Sequence, residues 1–370
     1  MPSIIIYQMK IEKLARPSVL SQPVYQAGKP IEHVAREFGL DPDNILKMAS
    51  NENPLGPCPM GVEAARKALG SLNYYPDSGC YEIGMKVSEV MGLSPKQLVF
   101  GNGSNEVIEL IAHTFLNPED NSVFGAQSFI VYKLSTLLMG AQCKEVPMPG
   151  LRYDFSMLLD AVDEHTKLVF VANPNNPTGT VATKDEIFDF VRALPEHVIF
   201  CYDEAYSDFQ DDPVDIRPLI AEGRNVIGLK TFSKIYGLAG LRAGYAYCGE
   251  EIASFINRVR EPFNLNSIAQ AAAIAALDDK EFYERSRRVN KLGRRQIEKK
   301  FDELGVEYIS EGGNFIMVKV ENALGKFDAL QKAGVIVRPN VGYGLPDWLR
   351  ITIGTPGQND RFLEEFARLI

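Results

Sequence analysis

Three times in the middle of this chain, an apolar run of strand length ends in a short loop of polar and helix-breaking residues. That repeated order limits the fold more than any other feature. Residues 167–172, Lys-Leu-Val-Phe-Val-Ala, stop at Asn173, Pro174, Asn175, Asn176 and Pro177. The two prolines cannot donate to a sheet ladder, so the strand cannot continue. Residues 198–202, Val-Ile-Phe-Cys-Tyr, deliver Asp203, Glu204, Ala205 and Tyr206, and residues 226–229, Val-Ile-Gly-Leu, precede Thr231, Ser233 and Lys234. Runs without alternation suit strands buried on both faces, which predicts an α/β fold with a largely parallel sheet between helices. Ligands of such sheets gather beyond the carboxyl ends of the strands, so these polar loops should converge on one crevice.

The loop holding Lys234 carries the densest chemistry. A lysine amine can condense with an aldehyde, while the hydroxyls of Thr231 and Ser233 and the fixed charge of Arg242 suit a phosphate. Gly237, Gly240 and Gly244 allow tight turns beside that anion. An isolated Ser-Lys pair would be an ordinary surface turn. Beside the other strand ends it reads as a site for pyridoxal phosphate. Asp203 would be costly to bury alone, and a protonated pyridine nitrogen is a suitable partner for it. The Asn176 amide and the Tyr206 hydroxyl can then address the cofactor's phenolate oxygen. Further upstream, a strand at 97–100 runs through Gly101, Gly103, Ser104 and Asn105 into a helix expected at 106–115. That turn offers free N–H groups and a favourable dipole to an anion, with helix capping by Ser104 as the plainer explanation. It is not a dinucleotide fingerprint, because Glu106 stands at the third glycine position.

The Ser233-Lys234 pair followed by Gly240-Leu241-Arg242-Ala243-Gly244 resembles the cofactor-lysine motif of the class II aminotransferases, which are fold-type I pyridoxal phosphate enzymes. More narrowly, the chain from about residue 25 onward is similar to the histidinol-phosphate aminotransferases. The resemblance implies that Phe129 lies against the pyridine ring and that Asn105 stands where the family has Asp. Tyr75, in the proline-stiffened loop 72–77, would reach the cofactor phosphate of the neighbouring subunit, which implies a homodimer with shared sites. Arg350 and Arg338 would bind substrate anions, Tyr25 would lie on an arm over the site, and Asn53 would approach substrate from the Asn-Glu-Asn-Pro segment.

The reaction so implied is amino transfer between small amine and keto-acid substrates, histidinol phosphate and 2-oxoglutarate, with Lys234 also acting as general base. Close alternatives are an aromatic amino acid aminotransferase and, further off, a decarboxylase or lyase using the same cofactor on a phosphorylated amine. A non-catalytic effector-binding module would not need Lys234, Asp203, Asn176 and Tyr206 together.

A length of 370 residues favours two domains. The expected division is an irregular arm over 1–30, a large cofactor-binding domain over 31–265 and a smaller α+β domain over 266–370, with part of 31–55 able to pack on the small domain. The C-terminal portion should hold a helix at 280–304, strands at 314–320 and 335–338, and a last strand at 348–354. In that last strand Leu349, Ile351 and Ile353 alternate with Arg350 and Thr352, which sets Arg350 on the less apolar face.

The balance of 39 basic against 48 acidic residues, net −9 and without long runs of one sign, argues against a nucleic-acid partner. Five dispersed cysteines without a Cys-x-x-Cys pair suit a reducing cytoplasm, and four scattered histidines give no metal-ligand spacing. No apolar run is long enough to span a bilayer, and Ile4, Ile5 and Ile6 are too short for a signal-peptide core. A cytoplasmic location is expected. Because the resemblance begins after the first residues, Met9 is the expected physiological start.

Overall fold

The apolar runs pair side by side as anticipated. The computed structural model describes residues 11–24 and 28–370, so Met9 and Tyr25 lie outside the described residues. In chain order the strands begin with β1 (Leu46–Lys47), β2 (Leu98–Gly101), β3 (Asn121–Gly125), β4 (Gln142–Val146) and β5 (Thr166–Ala172). They continue with β6 (Ile199–Asp203), β7 (Val226–Thr231), β8 (Gly244–Cys248), β9 (Tyr308–Ile309) and β10 (Phe315–Lys319). The last are β11 (Val335–Ile336), β12 (Arg338–Asn340) and β13 (Leu345–Thr352).

Seven of these form one sheet in the order β2-β8-β7-β6-β5-β3-β4. From β7 through β6, β5 and β3 to β4 every pairing is parallel, and β8 is antiparallel to both its neighbours. Strand alternation supplies a core to each face. Val169 and Val171 join Phe200 and Tyr202 on one side, under the helices Tyr81–Met91, Lys184–Ala193 and Ser267–Asp278. Leu168 and Phe170 join Cys201 and Leu229 on the other, under the helices Ser104–Phe115, Ile130–Leu138 and Glu250–Val259. Phe170 is fully buried, and truncating such a side chain to alanine costs about 3–5 kcal/mol.

The C-terminal unit is built on an antiparallel sheet of order β12-β13-β10-β9. Its long helix, Lys280–Leu304, starts where the Asp279 carboxylate accepts the Phe282 N–H and stops at left-handed Gly305. Phe282, Ser286, Asn290, Gly293, Ile297 and Phe301 are its buried stripe, at the three- and four-residue spacing of one helix face.

Several local expectations change in the folded chain. The arm carries a short helix, Pro17–Leu20, started by its proline, and Arg16 and Gln22 tie it to the carbonyls of Leu138 and Leu134. The strand expected at 335–338 is two: β11 pairs with β1, and β12 pairs with β13. Residues 31–49 lie against the C-terminal unit, where Val34, Ala35, Ile45 and Ala49 form a cluster with Ile336. The helix Ser267–Asp278, grouped with the C-terminal part on sequence grounds, buries Ala269, Ala272, Ala273 and Ala276 in the core of the seven-stranded sheet. Alanine marks a close helix contact but does not say with which partner, so the sequence could not place it. Among the described residues, no helix is long and apolar enough to cross a membrane.

Candidate active site

The carboxyl ends of β2, β3, β5, β6 and β7 open on one side of the sheet, and a cavity of about 220 Å³ lies there, closed across the top by β12, β13 and the segment 49–51. Its lining includes Ser104, Asn105, Phe129, Asn176, Asp203, Tyr206, Thr231, Ser233, Lys234, Arg242, Arg338 and Arg350. Twelve of the residues singled out from sequence therefore meet in one place.

One end of the cavity is made of anion donors. The helix Ser104–Phe115 begins two residues earlier than expected, with Gly103 as its N-cap, so Ser104 is the first helical residue and does not cap by side chain. Backbone N–H groups at this end have no partner within the helix and face the cavity with the positive end of the dipole. Gly103 has φ +87°, and a Cβ there would sit 2.3 Å from Arg242 Nη2; a Cβ on Gly244 would sit 2.4 Å from the Ser104 nitrogen. Both glycines are required for Arg242 to close over this helix end. Arg242 Nη1 also reaches the Ala239 carbonyl at 3.2 Å and Ser233 Oγ at 3.5 Å, while Thr231 Oγ1 accepts the Ser233 N–H at 3.1 Å.

At the floor, Asp203 ends β6 and is buried. Its Oδ2 accepts the Tyr132 hydroxyl at 2.7 Å and its Oδ1 accepts the Ala205 N–H at 3.0 Å. Burial raises its carboxyl above the ordinary carboxylate range, opposed by the Tyr132 and Ala205 hydrogen bonds and by the charge of Lys234. Behind it, Lys230 bridges Glu204 at 3.2 Å and Asp208 at 3.8 Å, and the Tyr247 hydroxyl donates to Glu204. Burial disfavours the Lys230 charge, but Asp208 and Glu204 outweigh it and hold the ammonium well above its usual value. This ion cluster joins the ends of β6 and β7 directly beside Asp203 and Thr231.

Lys234 Nζ donates to the Ser50 carbonyl at 3.3 Å and lies 5.5 Å from the centre of the Tyr206 ring. Opposite, Arg350 is buried over the Phe315 ring, with Nη2 donating to the Ala49 carbonyl at 2.8 Å and Nη1 to Asn176 Oδ1. Its strand alternates as expected, yet the face bearing Arg350 and Thr352 is covered by the large sheet's loops rather than by solvent. Lys234, Arg242, Arg338 and Arg350 outnumber Asp203 along the lining, so an acidic chain carries a cationic cavity, suited to anions.

Asn53 falls elsewhere, and Tyr75, expected at a neighbouring subunit's site, does not line this chain's own cavity. The Asn53 amide donates to the Ile235 carbonyl at 2.8 Å and Ser286 Oγ at 2.9 Å, while its oxygen accepts the Leu55 N–H. Its polar atoms are committed to joining the segment to the lysine loop and long helix, and Asn51 is the asparagine that reaches the cavity. Tyr75 is 82% exposed and stacks on Phe263 at 4.8 Å, away from this cavity. Sequence reasoning missed Tyr132 and Asn51. Tyr132 stands one helical turn after Phe129, a spacing that would have suggested a shared face but not a carboxylate partner.

Fold and site together are those of a fold-type I enzyme, with a lysine in the cavity at the sheet's carboxyl edge. Residues 43–366 match the family described as aminotransferase class I and II, and the chain belongs to that family. It is similar to a histidinol-phosphate aminotransferase of Akkermansia muciniphila, 47% identical over 98% of this chain and 100% of the relative. A histidinol-phosphate aminotransferase 2 of Pseudomonas fluorescens is 44% identical over 96% of this chain and 97% of its own length. Among solved structures, the histidinol-phosphate aminotransferase of Sinorhizobium meliloti in complex with pyridoxal-5'-phosphate superposes with a TM-score of 0.87 at 27% identity, covering 96% of this chain and 98% of that one.

The residues fit pyridoxal phosphate. The two glycines let the Arg242 guanidinium and the Ser104 end of the helix come together where a Cβ would collide with them, hydroxyl, guanidinium and helix-end donors meet there as a phosphate cradle, and a buried carboxylate and a lysine amine lie deeper in the same cavity.

Proposed function

We propose that this chain transfers the amino group of histidinol phosphate to 2-oxoglutarate, giving imidazole acetol phosphate and glutamate in histidine biosynthesis, with pyridoxal phosphate as cofactor. The observation that carries this reading is the convergence of Lys234, Asp203 and the Gly103 to Arg242 cradle with two arginines on the facing wall. The names of the relatives supply the substrate.

When bound, the cofactor supplies an aldehyde for amines and a ring that accepts electron density. Ser104, Asn105, Thr231, Ser233 and Arg242 would hold its phosphate. Asp203 keeps a proton on the ring nitrogen, because a buried carboxylate is stabilised by an adjacent cation. Asn176 and Tyr206 would offer polar groups to its phenolate oxygen, and Phe129 would supply a flat apolar face for its ring. Lys234 would anchor the cofactor through its amine, and the same amine, free, would take the proton from the substrate carbon as general base. Arg350 and Arg338 receive phosphate from one substrate and carboxylate from the other, which a planar fork accommodates with similar geometry.

The reading extends to assembly and location. Tyr75 reaches the cofactor phosphate of a second copy, so the active form is a homodimer; the exposed Leu69, Leu72, Tyr74, Tyr75 and Tyr81 supply an apolar face for it. Two lobes, one on the seven-stranded sheet and one joining residues 31–49 to the C-terminal sheet, flank the cleft. Five free cysteines suit a cytoplasmic location.

A coupled assay with pyridoxal phosphate, histidinol phosphate and 2-oxoglutarate tests the reaction. Glutamate from wild type and none from Lys234→Ala supports it. Preferred turnover of phenylalanine transfers the assignment to an aromatic aminotransferase, and release of carbon dioxide without a keto acid transfers it to a decarboxylase.

A further inference from the structure

Tyr206 does not stand alone in the cavity wall. Asn51 Nδ2 donates to its hydroxyl at 3.0 Å, and both side chains are buried. The other contacts of Asn51 settle which end of its amide faces Tyr206. The Thr352 hydroxyl accepts the Asn51 backbone N–H at 2.9 Å, so its own proton goes to Asn51 Oδ1 at 3.2 Å. That leaves Nδ2 for Tyr206. A hydroxyl carries one proton, and one that accepts from Asn51 is free to donate elsewhere. The Tyr206 ring is fixed edge-on against Phe315 at 5.1 Å, and the cavity shared with Lys234 lies on its open side.

Asn51 is itself held from the C-terminal unit. Asn314 Nδ2 donates to its carbonyl at 3.0 Å, and its φ of +55° is a left-handed conformation that asparagine tolerates better than most residues. Thr352 lies two residues beyond Arg350, on the same face of β13. One buried amide therefore joins the strand bearing the substrate arginine to the tyrosine of the opposite lobe.

We propose that Asn51 is a positioning residue: oriented by Thr352, it directs the Tyr206 proton into the cavity, so that donation from Tyr206 depends on the seating of the strand that carries Arg350. This rests on the roles given above to Tyr206 and Lys234. Neither residue types nor spacing reveal it, since the three groups lie in distant parts of the chain.

The test is a pH titration of the visible absorbance of protein loaded with pyridoxal phosphate, for wild type, Asn51→Gly, Tyr206→Phe and the double variant. Glycine is chosen because it keeps the left-handed backbone without strain. The charged groups sharing the cavity, Lys234, Asp203, Arg242, Arg338 and Arg350, are the same in all four proteins. Losing a directed donor to the phenolate oxygen should raise the midpoint of the absorbance change by about one pH unit, a tenfold change in the proton equilibrium. In the Tyr206→Phe background, Asn51→Gly should add nothing. A second variant, Thr352→Val, removes the group that orients the amide while leaving Asn51 in place, and should shift the midpoint in the same direction by a smaller amount.

An unchanged midpoint in folded, loaded Asn51→Gly overturns the proposal, as does a shift of equal size with and without the Tyr206 hydroxyl. Failure of the underlying reading looks different: wild type would then show no borohydride-sensitive chromophore that Lys234→Ala abolishes.

Discussion

Asn176 and Arg350, 174 positions apart, meet side chain to side chain: Asn176 Oδ1 accepts from Arg350 Nη1. The first sits in the loop that ends β5 and the second on β13, so the contact crosses the cleft between the two lobes. The residue proposed to address the cofactor and the residue proposed to address the substrate thereby share one hydrogen bond, which movement of either lobe would break.

Arg350→Lys keeps the charge but loses the fork. A lysine cannot donate to Asn176 Oδ1 and the Ala49 carbonyl while also receiving an anion in bidentate geometry. We expect kcat/KM for both amino donor and keto acid to fall about a hundredfold, near 2.7 kcal/mol, with the cofactor still bound. Steady-state kinetics with each substrate in turn check this; an effect on one substrate only would contradict a shared anion site.

Tyr132→Phe removes the hydroxyl that donates to Asp203 and retains the ring, which stacks on Phe170 at 4.7 Å. That hydrogen bond lowers the Asp203 pKa against the raising effect of burial. Its loss moves the pKa further up, so the carboxyl takes a proton at higher pH and pairs less well with a protonated ring nitrogen. The acid limb of the kcat/KM profile should shift to higher pH, with a deficit of about tenfold on that limb that narrows in alkali, as befits one hydrogen bond to a charged group.

Gly103→Ala places a methyl group where the Arg242 guanidinium lies, in a backbone conformation with φ +87°. Strain of about 1–3 kcal/mol accompanies such a residue. Because the displaced group is the guanidinium proposed for the phosphate cradle, cofactor affinity should weaken about tenfold or more while the apo fold survives. Equilibrium dialysis or quenching of protein fluorescence by pyridoxal phosphate measures it, and unaltered affinity would remove Arg242 from the cradle.

Far from the site, Asp163 receives Lys144 Nζ at 2.5 Å, Asn121 Nδ2 at 2.9 Å and Thr166 Oγ1 at 3.0 Å, and the lysine hydrogen bond above all holds its carboxyl below the ordinary range. A depressed folded pKa means stability that is present above the unfolded value and lost as pH falls through the folded one. Asp163→Asn should lower the urea midpoint at neutral pH, and the gap from wild type should begin to narrow below about pH 4, the unfolded value of an aspartate, and keep narrowing as the pH falls further. Urea melts at several pH values provide the comparison.

The parallel core and most of the cavity wall were legible in the chain because both depend on short-range chemistry. An unalternating apolar run stopped by proline or aspartate announces a buried strand and delivers its next residue to the sheet edge, which is how Asn176, Asp203 and Thr231 came to be expected together. The twenty-five residues of the Lys280–Leu304 helix were equally plain, with an aspartate cap and a terminal glycine to bound them. Tertiary structure alone decided what depends on partners remote in sequence. Whether the alanines of Ser267–Asp278 join the large sheet's core, whether 335–338 is one strand or two, and which asparagine of the Asn51 to Asn53 segment enters the cavity all turn on long-range contacts. The same holds for Tyr132 and for the orientation of Tyr206. A buried hydrogen bond is specified by where its two ends meet in space, and a side chain's own sequence neighbours carry no record of that meeting.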